Sequence, residues 1–306
     1  MHPPVLATFL EVSRTANSMS VAGIVLLLIG LWAAKSDIAS ATSLDKVVAL
    51  ANLCFAMPLA VFGAEHFSVA AGISQLVPKF MPWHLFWTYL VGAALIAASL
   101  SIATKIQVRW SGLLLGIMFF LFVAMMDLPG TIVHPHNRFN WALMLRELSF
   151  GGAGWILAGT AMEERGVGKA LLTIGRVILG ISAIFYGVEH FLHPLGMPGV
   201  PLEKEMPTWI PARAVFDYLT GAFLVLGGVC FLLNRKTRIA ATYLGSWIVL
   251  MVLIIYGPVM IAALLDASTD IKVEGLNYFF DTLLYGGAIL ALAQAMVSAT
   301  QASQNR

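Results

Sequence analysis

Nine stretches of predominantly apolar residues divide this chain, at about 19–34, 46–66, 85–104, 110–127, 140–162, 170–191, 214–233, 239–264 and 275–298. A helix rises ~1.5 Å per residue, so roughly 20 apolar residues cross a hydrocarbon core about 30 Å thick. Lipid offers a backbone no hydrogen bonds, which leaves helices and closed barrels as the only spanning structures. Most of these runs are far longer than the barrel strand of ~10 residues. The pattern predicts an all-α membrane protein, a polytopic helical bundle in contact with the lipid bilayer. Composition agrees, with 59% of residues hydrophobic and 11% charged, against about a quarter charged in soluble domains. The net charge of +2 is spread thinly, and without a basic patch nothing points to nucleic acid. Cys54 and Cys230 each sit alone in an apolar run, so neither a disulfide framework nor a cysteine-based zinc site is expected.

Orientation follows from the bases, because cytoplasmic loops are enriched in Lys and Arg. Lys35, Lys46, Lys105, Arg109, Arg165, Lys169, Arg176, Arg235, Lys236, Arg238 and Arg306 fall on one side, 11 of the 18 in the chain. The tight turns Lys105–Arg109 and Arg235–Arg238 carry most of this bias. The C-terminus is therefore expected in the cytoplasm of a bacterial-type inner membrane, with the N-terminus outside. The first span has the small residues Ala39-Ser40-Ala41 behind it, the spacing of a signal-peptidase site.

The chain also repeats itself. Phe62-Gly63-Ala64-Glu65-His66-Phe67 recurs as Tyr186-Gly187-Val188-Glu189-His190-Phe191, an offset of 124. Pro78, Pro82, Tyr89, Gly92, Arg109, Gly116 and Pro129 recur as Pro207, Pro211, Tyr218, Gly221, Arg238, Gly245 and Pro258, all at 129. Gly151-Gly152-Ala153 returns as Gly286-Gly287-Ala288 at 135. Two four-helix units are expected, 46–162 and 163–306, preceded by a tail and an extra helix over 1–45. An even number of crossings makes the units parallel repeats about an axis along the membrane normal.

These residues resemble a known family. The Gly-x-Glu-His-Phe helix ending, the loop Val77-Pro78-Lys79-Phe80-Met81-Pro82-Trp83, the start Phe86-Trp87-Thr88-Tyr89-Leu90-Val91-Gly92 and the closing Asp127-Leu128-Pro129 look like the DoxX-like membrane proteins. The second half carries the same pattern in Met206-Pro207-Thr208-Trp209-Ile210-Pro211 and Phe216-Asp217-Tyr218-Leu219-Thr220-Gly221. The resemblance covers about 46 to 298 and implies a four-helix unit. In some members it also implies association with quinone-linked oxidation of sulfur compounds or with a terminal quinol oxidase. This chain departs from a single-unit member by its duplication and its additional helix.

Candidate chemistry is sparse. All seven histidines, His2, His66, His84, His134, His136, His190 and His193, map to the outer side or to helix ends facing it, yet no tight ligand motif assigns a metal. Glu65-His66 and Glu189-His190 are the leading candidates for ligand binding or proton handling, because ionisable groups beside a spanning helix are costly and face a bundle interior or a wet cavity. Tyr89 and Tyr218 begin their helices at the same level and are candidates for the same pockets. The bland alternative is that each Glu-His pair caps its helix and fixes the following turn. A second set, Arg146, Glu147 and Asp281, falls inside the last span of each unit. Through the Gly-Gly-Ala anchor Arg146 aligns with Asp281, so the two are expected to meet, with Asp127 or Glu147 as the competing partner for Arg146.

No phosphate loop, dinucleotide fingerprint, Ser-His-Asp arrangement or zincin motif is present. Three readings remain: a redox-associated or quinone-binding subunit working with a redox partner protein, a small-molecule transporter, and a non-catalytic assembly factor.

Overall fold

The computed structural model describes residues 5–162, 166–196 and 204–304; His2, Arg165 and Arg306 lie outside these. Nine long helices are present among the described residues: α1 (Val5–Ser40), α2 (Ala51–Ser68), α3 (His84–Thr104), α4 (Val108–Val133), α5 (Arg138–Ala161), α6 (Val167–Leu192), α7 (Arg213–Leu233), α8 (Thr237–Leu264) and α9 (Thr269–Gln304). No strand occurs among the described residues. Eight of the nine are long and apolar enough to cross a membrane. The exception, α5, has 24 residues, ~36 Å of helix, but carries Arg138, Arg146 and Glu147 and so falls short in hydropathy. It nevertheless runs antiparallel beside α6 for its whole length: Gly159 packs on Gly168 at one end, Gly152 on Gly175 in the middle, and Arg138 meets Glu189 at the other. Its polar residues are tolerated because neighbouring helices cover them.

Burial sorts the helices into a centre and a rim. In α9, 83% of the apolar window is inside the protein, in α2 67% and in α6 56%, against 28% in both α1 and α4. Leu28, Leu114, Leu226 and Leu253, all well exposed on rim helices, present apolar side chains to the bilayer. The centre is built by exchange: α9 packs against α2, and α5 against α6. Close approach demands glycine there, since a Cβ on Gly287 of α9 would stand 2.5 Å from the backbone nitrogen of Phe55 in α2. Helix α1 remains helical through Ser40, so the Ala39-Ser40-Ala41 site is not extended, and its Met19 is fully buried against the bundle.

The span expected to close at Asp127 instead continues to Val133. Proline has no N–H and collides with the carbonyl four residues back, and before Pro129 the ladder widens to a π-turn at Val123–Asp127, the form in which a helix absorbs one extra residue. The same turn occurs before Pro258, at Val252–Tyr256, a spacing of 129. Three left-handed residues share that spacing: Trp83 with Ala212, Lys105 with Asn234, and Gln107 with Lys236. Such φ values are uncommon outside glycine, and each recurs 129 residues further on.

Candidate functional site

One end of the bundle gathers the C-termini of α2, α4, α6 and α8 and the N-termini of α3, α5, α7 and α9, and with them the helix-end histidines. Below this histidine end a cavity of about 1550 Å³ opens among α2, α3, α4, α5 and α9. Most ligand pockets hold ~300–1,000 Å³, so there is room for a head group and a chain. Its walls are apolar along Leu90, Val91 and Ala94 of α3 and Leu114, Leu115 and Met118 of α4, reaching Gln107 and Ser111 at the opposite end of the bundle. Its charged and polar lining concentrates at Glu65, His66, Arg146, Glu147, Asn277 and Asp281, with Thr269, Asp270 and Glu274 at the start of α9.

Each of the first-named residues is held by a specific partner. Asn277 donates its Nδ2 to Oε1 of Glu65 at 3.1 Å. The Nδ1 of His66 lies 2.7 Å from the carbonyl of Phe62; a carbonyl can only accept, so Nδ1 carries the hydrogen and Nε2 of the neutral ring is left as an acceptor. Arg146 donates to Oδ2 of Asp281 at 2.9 Å and to Oε1 of Glu147 at 3.1 Å. The bridge to Asp281 joins α5 to α9, and the one to Glu147 stays within α5. Behind it Tyr186 donates to the carbonyl of Ala142, and its ring meets Tyr285 edge-on at 5.6 Å.

Glu189 and His190 sit in different surroundings. Oε2 of Glu189 lies 3.3 Å from Arg138 and 3.6 Å from Nε2 of His193. His190 is fully buried with Nδ1 at 3.1 Å from Oδ1 of Asp217, itself fully buried. At the spacing of 129, Ala94 and Met118 correspond to Phe223 and Trp247, whose rings stack at 5.1 Å, while the Trp247 indole donates to Thr220 at 2.9 Å. Two aromatics thus occupy the positions that in the first half line open space.

Tyr89 and Tyr218 stand apart from both sets. Each is 44% exposed and stacks outward, Tyr89 on Phe67 at 5.7 Å and Tyr218 on Phe191 at 6.0 Å, so Tyr89 is not among the residues around the cavity. Among the described residues no three His, Cys, Asp or Glu side chains are placed to hold a metal ion.

Compared with protein-family models, curated proteins and solved structures, the chain matches none of them.

Three participants escape sequence reasoning. Asn277 and Arg138 reach Glu65 and Glu189 across 212 and 51 residues, and no local pattern announces such pairs. Asp217 left a trace: it replaces Thr88 immediately before the Tyr-Leu that the two helix starts share, an acid where lipid-facing logic has no use for one.

Proposed function

We propose that this chain is a DoxX-like protein built as a tandem duplication, with its C-terminus cytoplasmic, and that it holds a membrane-soluble amphipathic carrier of the quinone class in the cavity of its first half. The observation that carries this reading is the cavity itself, apolar over most of its length and charged at one end. A carrier with an isoprenoid tail fits that division, with its ring beside Glu65 and His66. A carboxylate and an imidazole acceptor at that level are equipped to take the protons a hydroquinone releases on oxidation. The electrons then pass to a partner redox protein. Support for the duplication comes from the matched π-turns, the matched left-handed residues and the reciprocal packing of α5 on α6 and α9 on α2.

The test is to extract the protein with its surrounding bilayer in a native polymer disc and analyse the small molecules by mass spectrometry. One quinone-class amphiphile should be enriched over the bulk membrane at close to one per chain, and Met118→Trp, which places in the first half the residue found in the second, should remove it. An extract with the composition of the bulk membrane would sink the reading.

A further inference from the structure

The cavity's polar end is unbalanced in a way that bears on what it holds. Each of its nitrogen donor groups is anchored on the protein: Arg146 on Asp281 and Glu147, Asn277 on Glu65, Nδ1 of His66 on Phe62. The Nε of Arg146 and the Oγ1 of Thr269 have no partner, but both are sealed from solvent-sized access. Acceptors are in surplus. Each of Glu65, Glu147 and Asp281 uses one carboxylate oxygen in these bonds, and among the described residues the other oxygen carries none; Nε2 of His66 adds a fourth acceptor. Glu65, Glu147 and Asp281 face one guanidinium, Asp270 and Glu274 also line the cavity, with Lys204 on Glu274, and an uncompensated charge in apolar surroundings is expensive. An occupant that supplies N–H or O–H groups removes that cost, whereas one that offers only carbonyl or anionic oxygens adds acceptors to acceptors.

We infer that the cavity selects amphiphiles whose head group donates hydrogen bonds, and rejects those whose head only accepts them. This rests on the cavity being an amphiphile site, and for a quinone-class occupant it means that the hydroquinone is the form held. Two head chemistries share the property, a phenolic hydroxyl and an ammonium group.

Four probes with one decyl tail separate the possibilities: decylhydroquinone, decylammonium, decylbenzoquinone and decyl sulfate, each titrated into the full-length protein in lipid nanodiscs and followed by native mass spectrometry. At least one donor probe should bind about tenfold or more tighter than both acceptor probes, the scale of a charge-assisted hydrogen bond. Hydroquinone alone would identify a phenolic head, ammonium alone a cationic one. Glu65→Gln keeps an acceptor for Asn277 but removes the charge and adds an amide donor, and should narrow the preference by weakening the donor probes and admitting the acceptor probes more readily. Glu147→Gln serves as the second variant should the first not fold. Decylbenzoquinone or decyl sulfate binding as tightly as both donor probes overturns the selectivity while leaving the amphiphile site standing. Failure of all four to bind, with Met118→Trp indistinguishable from wild type, overturns the site itself.

Discussion

Arg146 holds two carboxylates at once, Asp281 across the interface between α5 and α9 and Glu147 beside it on the same helix, and that arrangement sets what a substitution does. Removing one partner of a buried ion pair leaves the other uncompensated, at a cost of about 3–5 kcal/mol. Arg146→Asp should therefore melt at lower temperature in detergent, and so should Asp281→Arg. The combined swap returns one guanidinium to two carboxylates and should recover most of the loss; a double variant no more stable than the worse single would show that the contact carries no coupling. The Gly-Gly-Ala alignment put these two residues in register, and the structure holds them 2.9 Å apart. The same reasoning could not see Asp217 or Asn277 as participants, because their partners lie on helices whose contacts depend on tertiary packing. Tyr89 and Tyr218 show the opposite failure: sequence placed them at the right level of the bundle but could not tell which way a helix start turns its side chains.

At the scale of elements, the nine helices were legible because hydrophobic runs of membrane length leave few alternatives. Their ends were less so. The span ending at Asp127 was read as stopping before Pro129, yet a π-turn lets the helix absorb the proline and continue through α4. The elements also show how the two halves differ around the cavity. Both halves use the same helix order and the same turns, but Phe223 and Trp247 stand where the first half has Ala94 and Met118. Converting Phe223→Ala with Trp247→Met should open a second cavity between α7 and α8 and raise the bound amphiphile from one to two per chain in native mass spectra. The cost is a large-to-small change in packed surroundings, about 3–5 kcal/mol for the phenylalanine alone. A folded double variant that still binds one ligand would show that Phe223 and Trp247 are not what separates the two halves.

For the whole molecule the deciding feature is contact shared between halves. Helix α5 packs on α4 of its own half and, as extensively, along the whole of α6 in the second. Helix α9 packs on α8 of its own half and also on α2 in the first, where Gly287 meets the backbone of Phe55. The polar contacts cross between halves in the same way, with Asn277 of α9 on Glu65 of α2 and Arg138 of α5 on Glu189 of α6. In lipid, helices associate through close packing and polar contacts and not through hydrophobic exclusion from one another, so a half deprived of its counterpart loses the contacts that position its central helices. Residues 1–162 and 163–306 expressed separately should each insert but be cleared from the membrane within the time that the intact chain persists. Coexpressed, the two pieces should copurify and regain the thermal transition of the intact protein to within a few degrees, since only one short connection between α5 and α6 is cut. A fragment that alone gives a sharp, monodisperse species would mean that the units close on themselves, and that the contacts of α5 and α9 across the halves are not what stabilises the bundle.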